Sequence, residues 1–141
     1  MTTFVFDTDT FSLYRRGDTD LLRRLKNIGD AKVCVTVFIV EEALSGWYGL
    51  LRRAKNDAEL LTVYRRLEET VPVLARFPLL TLSGAALEEY NRLRALKLNI
   101  GPMDLRIAGL VLANDATLVT RNRRDFSRVP DLRFEDWTEI E

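Results

Sequence analysis

Phe4-Val5-Phe6-Asp7-Thr8-Asp9 sets an acid directly behind an apolar run. Aromatic and β-branched residues in so short a run read as a buried strand, and Asp7 stands where it stops. Outward from residues 4–7, similar runs at 32–37, 79–82, 116–120 and 132–136 predict further strands. Longer helical patterns fall between them, at 9–14, 18–28, 38–51, 58–77, 83–96 and 102–114. Strand and helix in alternation predict an α/β fold with a mostly parallel sheet. Ser83, followed by Glu88 and Glu89, suits a helix start, and residues 97–101 read as a loop. Ligands of such sheets bind beyond the carboxyl ends of the strands. An acid placed there, like Asp7, is therefore a candidate for chemistry.

Composition narrows the chemistry. The chain has 141 residues, which predicts one domain over 1–141 with a real core. Lys plus Arg number 21 and Asp plus Glu number 21, so no global basic charge signals nucleic acid. Arginines nonetheless come in pairs, at Arg15-Arg16, Arg23-Arg24, Arg52-Arg53, Arg65-Arg66 and Arg123-Arg124. Their planar forks suit phosphate, although solvated helix faces explain such pairs equally simply. Histidine is absent, which excludes Ser-His-Asp catalysis, a Cys-His pair and most zinc sites. Cys34 is the only cysteine, so no internal disulfide forms and a reducing cytoplasm fits. No apolar run reaches the ~20 residues that span a bilayer, and the acid at Asp7 argues against a signal peptide.

Four acidic positions then deserve weighing. Beside Asp7, Asp9 suits a helix N-cap, which leaves Asp7 less easily explained by capping. Glu41 and Glu42 are adjacent, about 100° apart around a helix, so one site takes only one of them. Val40, Leu44, Trp47 and Leu51 form an apolar stripe flanked by Glu41, whereas Glu42 lies towards Gly46 and Gly49. Those glycines suggest close approach by backbone or ligand. Asp104 falls in the first turn of a helix opened by Pro102, where the helix dipole favours an anion. That helix is apolar nearly all round, so its acid needs a partner: Arg106, another basic residue or a metal. Thr120-Arg121-Asn122-Arg123-Arg124-Asp125 follows a strand and reads either as a turn or as a further group of ligands beside phosphate-drawing arginines.

Together these segments resemble the PIN domain, and within it the VapC-type toxin ribonucleases of toxin–antitoxin pairs. Phe4–Asp9 resembles the opening aspartate motif, though members often carry Asn at the position of Asp9. The segment ending Glu41-Glu42-Ala43-Leu44-Ser45-Gly46 resembles the second motif, in which a glutamate four before glycine selects Glu42. Gly101-Pro102-Met103-Asp104 resembles the third. Leu118–Phe126, with Val129-Pro130 and Asp136-Trp137, is similar to the C-terminal signature.

The resemblance implies a three-layer α/β/α sandwich and a Mg²⁺- or Mn²⁺-dependent endoribonuclease. It implies metal held by Asp7 and Asp104, with Glu42 assisting. Asn122 or Asp125 completes the site, Asp125 being favoured as the acid and Asn122 as its support. Thr120, Arg121, Arg123 and Arg124 are expected to meet substrate, Thr120 also by orienting water or a carboxylate. A small antitoxin and a homodimer are the implied partners, with residues 40–51 and 58–77 as docking surfaces and Trp47 and Tyr48 as anchors. Two other classes stand beside this one. A catalytically silent interaction module would keep the fold. A phosphoacceptor signalling domain would want a lysine after a late strand, where this chain has arginine.

Overall fold

The structure is a computed structural model, described for residues 2–138. It runs β1 (Thr3–Phe6), α1 (Thr8–Arg16), α2 (Thr19–Lys26), β2 (Lys32–Thr36), α3 (Val37–Arg53), α4 (Asp57–Leu74) and β3 (Leu79–Leu80). There follow α5 (Gly84–Ala95), α6 (Pro102–Ala113), β4 (Thr117–Val119), α7 (Arg123–Phe126) and β5 (Arg133–Glu135). The strands form one sheet in the order β3-β2-β1-β4-β5, with every neighbour parallel. The expected α/β class with a parallel sheet is therefore what the chain adopts.

Alternation along each strand divides two cores. Val5 and Leu118 point to one side, into a cluster with Ala86, Tyr90 and Leu93 of α5 and Leu105, Ile107 and Ala108 of α6. Phe4, Phe6, Val33, Val35 and Val119 point to the other, against Phe11 and Leu13 of α1 and Leu21 of α2. Helices cover both faces, which gives three layers. Trp137 closes the second core with its ring edge-on to Phe4 at 5.0 Å and to Phe6 at 5.6 Å.

Helix starts follow local side chains. Asp18, Thr36, Asn56 and Ser83 each accept a backbone N–H at the head of the following helix. Ser83 thus fills the role its sequence suggested. In α6 there is no side-chain cap, and Pro102 opens the helix instead. Two expectations change. The third strand shrinks to Leu79–Leu80, and the turn expected after β4 closes into a one-turn helix, α7.

Helices α5 and α6 touch backbone to backbone at Gly109. A Cβ there would lie 2.8 Å from the Tyr90 backbone nitrogen and 3.0 Å from the Ala86 carbonyl oxygen. Backbone cannot rotate aside as a side chain can. Gly109→Ala gains about 1 kcal/mol of helix propensity, but overpacking costs about 1–3 kcal/mol. A net loss, read as a lower urea midpoint with an unchanged slope, is the expected outcome.

The strand order fixes where a ligand would sit. From β1 the chain builds β2 and β3 on one side, then returns to place β4 and β5 on the other. The switch point therefore lies between the carboxyl ends of β1 and β4. Helix α3 starts where β2 ends, and α6 begins at the same pole because it leads back into β4.

Candidate active site

Asp7 follows β1 at the switch point and is held from three directions. Its N–H donates to the Val119 carbonyl at 3.2 Å. Oδ1 accepts from the Thr10 N–H at 2.8 Å, and Oδ2 accepts from the Thr120 hydroxyl at 2.6 Å. Asp7, and not Asp9, is thus the N-cap of α1, which starts one residue earlier than its pattern suggested. The cap and the site are one residue, so capping does not compete with chemistry here. Burial pushes the Asp7 carboxyl above its usual range, while the bonds from Thr120 and Thr10 pull it back in part.

Asp104 presents the opposite situation. It is partly buried in the first turn of α6, without a hydrogen bond or ion pair among the described residues. The partner offered by sequence, Arg106, is occupied elsewhere. Its guanidinium lies over the Tyr90 ring at 5.4 Å, with Arg94 over the same ring at 5.6 Å. Burial raises the Asp104 pKa first, and the like charges of Asp7, Asp125 and Glu42 add to it in that order. The four acids drawn from distant parts of the chain therefore share one electrostatic field.

The fourth corner is built by α7. Asn122 caps it, its Oδ1 accepting from the Asp125 N–H at 3.3 Å. The same side chain donates from Nδ2 to Asp125 Oδ2 at 3.1 Å. Asn122 in turn donates its N–H to Thr120 Oγ1 at 3.0 Å, so a continuous chain runs Asp125–Asn122–Thr120–Asp7. Arg128 lies 3.6 Å from Asp125 Oδ1 and donates to the Asn99 carbonyl at 3.2 Å.

Of the residues expected to meet substrate, Thr120 takes its other expected part, orienting a carboxylate, and Arg121 is engaged by Asp9. Thr120 is fully buried with its hydroxyl committed to Asp7, so it stands behind the carboxylate and not at the surface. Arg121 forms a two-bond fork with Asp9, from Nε at 2.8 Å and Nη2 at 3.0 Å. That bond, with Asp136 and Asp18 nearby, raises its pKa further and engages its charge. Arg123 and Arg124 are exposed on α7.

Glu42 lines a groove of about 480 Å³ between α1 and α3, whereas Glu41 is exposed and takes no part in it. No backbone approaches the glycines: a Cβ at Gly46 would meet open space, and one at Gly49 only the end of Arg53. Gly46 instead helps keep the groove wide. Sequence reading missed Ser12, Arg15 and Arg53 as groove residues. Helical spacing carried the signal, since Thr8, Ser12 and Arg15 share one face, as do Glu42, Gly46 and Arg53.

The donor set suits a hard divalent cation. All candidate ligands are carboxylate or amide oxygens, the donors Mg²⁺ and Mn²⁺ prefer. Among the described residues, no three acids stand close enough to hold one ion directly. Mg²⁺ needs only one or two carboxylates and keeps several waters, so Asp7 and Asp104 could hold it without a third direct acid. Beside Asp7, the Thr8 hydroxyl is buried with no hydrogen-bond partner among the described residues. An ordered water of a hydrated cation would satisfy it.

A parallel sheet with carboxylates gathered at its switch point fits a known family, and the PIN domain profile matches residues 4–132. The chain belongs to the PIN domain family. It is similar, at 26% identity, to a tRNA(fMet)-specific endonuclease VapC of Salmonella typhimurium, over 97% of this chain and 99% of that protein. DNA-bound VapBC from Salmonella typhimurium contains a chain of the same fold, with a TM-score of 0.76 and 25% identity over 97% of this chain and 99% of that one. VapBC-1 of nontypeable Haemophilus influenzae gives a TM-score of 0.75 at 23% identity, over 98% of this chain and 100% of that one.

Proposed function

We propose that this protein is a Mg²⁺- or Mn²⁺-dependent endoribonuclease and the toxin of a toxin–antitoxin pair. One observation carries the reading: Asp104 is partly buried, unpaired, and in the field of three further carboxylates. A protein keeps such a charge at a cost unless a cation answers it. Similarity to a tRNA-specific endonuclease over nearly the whole length supports RNA as the substrate class.

When bound, Mg²⁺ or Mn²⁺ supplies Lewis acidity, lowering the pKa of water and offsetting charge on the phosphodiester. The chain's own residues do the rest. Asp7 and Asp104 would hold the ion, with Asp7 kept in one orientation by Thr10 and Thr120. Glu42 lines the groove without a hydrogen-bond partner among the described residues, so its carboxylate is available to orient the attacking water. Asn122 fixes Asp125 as the fourth acidic contributor. Arg123 and Arg124 would draw in the phosphate backbone.

The solved relatives include VapBC complexes, which supports a small antitoxin as partner. The groove lined by Phe11, Trp47 and Leu50, with Arg15 and Arg53 at its margin, offers such a segment both an apolar floor and cations. A homodimer and a cytoplasmic location complete the reading. No helix among the described residues is long and apolar enough to cross a membrane.

Cleavage of a panel of single-stranded and looped RNAs with Mn²⁺, with EDTA, and by Asp7→Asn tests the proposal. Metal-dependent cleavage lost in the variant is expected. Stoichiometric RNA binding without turnover at any metal concentration would instead identify a silent interaction module.

A further inference from the structure

Asp9 and Arg121 sit two residues and one residue beyond the pair that fixes the site, Asp7 and Thr120. Their fork, at 2.8 and 3.0 Å, joins the chain leaving β1 to the chain leaving β4 across the switch point. Both side chains are nearly half exposed, at 46% and 47%, where an ion pair adds little to stability. Substrate binding explains Arg121 poorly, because Asp9 takes two of its N–H donors and Asp136 and Asp18 add further negative potential.

What the fork does command is geometry. Thr120 donates to Asp7 through a single hydroxyl at 2.6 Å. That bond holds only while the two segments keep their separation and twist. Two crossings lie deeper, both at the Val119 carbonyl, which accepts from the Asp7 N–H at 3.2 Å and from the Thr10 hydroxyl at 2.9 Å. The fork is the outer crossing, and on the β4 side Thr120 lies between Val119 and Arg121.

We propose that the Asp9–Arg121 ion pair is a positioning device: it holds the β1 and β4 exits together so that Thr120 keeps the Asp7 carboxylate aimed at the cation. The proposal rests on the nuclease reading above for its catalytic arm only. Arg121 then acts through Asp7 and is no phosphate ligand.

The test is a double-mutant cycle of Asp9→Ala, Arg121→Ala and both together, measured in two ways. In the first, Mn²⁺ affinity is followed by electron paramagnetic resonance of the free ion, without RNA. Each single variant is expected to weaken Mn²⁺ binding several-fold, and the double variant no more than either single. In the second, RNA cleavage kinetics are measured. A fall in kcat of roughly 10- to 100-fold with KM nearly unchanged is expected in all three, since a small displacement of a reacting group costs that much. Melting temperatures should move by no more than roughly 4 °C.

Independent, multiplying losses would overturn the device, as would unchanged Mn²⁺ affinity in all three proteins. A KM increase confined to proteins lacking Arg121, with Asp9→Ala unaffected, would make Arg121 a substrate ligand and sink the proposal. Wild-type protein that binds Mn²⁺ but cleaves no RNA would fail the nuclease reading alone, and the affinity cycle would still decide the role of the pair.

Discussion

Asp104→Asn is expected to abolish metal-dependent RNA cleavage while making the metal-free protein more stable. The two effects have one origin. Asp104 has no cationic partner among the described residues, and burial together with Asp7, Asp125 and Glu42 raises its pKa. Asp7 is raised as well, by burial above all. Each acid in the native state therefore holds its proton to a higher pH than in the unfolded chain. Between the unfolded value, near 3.8, and the raised native value, the folded form binds more protons than the unfolded one. Stability accordingly falls as pH rises through that window, and the loss persists at neutral pH.

Three measurements separate this account from a mere loss of structure. The metal-free wild type should melt higher at mildly acid pH than at neutral pH. Mn²⁺ at about 100 times its dissociation constant should add about 2.7 kcal/mol at neutral pH and less in acid. Asp104→Asn should flatten that pH dependence and lose most of the Mn²⁺ effect. Cleavage should fall by more than about 100-fold, beyond the 10- to 100-fold typical of outer-sphere partners. A variant that melts lower than wild type without metal, or that cleaves normally, would show that Asp104 has a purely structural role.

Thr120→Val should harm both the fold and the chemistry. The substitution keeps the shape and removes one hydroxyl that serves two groups. Asp7 Oδ2 loses a 2.6 Å donor and the Asn122 N–H loses its 3.0 Å acceptor, both in buried or partly buried surroundings. Leaving a buried polar group unmatched costs about 1–3 kcal/mol. The Thr120 bond is also the main influence lowering the Asp7 pKa against burial. Without it, the acid limb of the pH–rate profile should move to higher pH, and cleavage near pH 7 should fall roughly 10- to 100-fold. Thr120→Ser retains the hydroxyl and should restore most of both. Equal defects in the serine and valine variants would point to the lost methyl and rule out the hydrogen bond.

Much of this arrangement could be read from residues alone, for reasons that differ by position. Asp104 was legible because Pro102 and an apolar helix leave few explanations for an acid in that turn. Glu42 was separable from Glu41 because helical geometry puts them on different sides. Asp9 was misjudged as the cap because capping depends on where the strand releases the chain, and that is set by the Asp7–Val119 bond from a distant segment. Thr120 could be read as orienting a carboxylate, but which carboxylate, and the role of Arg121, were hidden for the same reason. Each is defined by a partner more than 110 residues away in sequence, at separations of 113 and 112. Helix α7 escaped notice because four residues are too few to show a period.

That long separation also dictates when the molecule becomes competent. Asp7 is synthesised 113 residues before Thr120. Parallel pairing of β1 with β4 waits until residues 117–119 have been made, and such long-range closure is slow. A nascent or prematurely ended polypeptide that stops before residue 117 would already carry Asp7, Glu42 and Asp104, yet lack the strand and hydroxyl that aim them. Translation errors and stalled synthesis would then yield inert fragments. For the proposed toxin, the order of synthesis would itself act as a safety interlock: β4 and Thr120 must be made and paired before any damage to the cell that makes them.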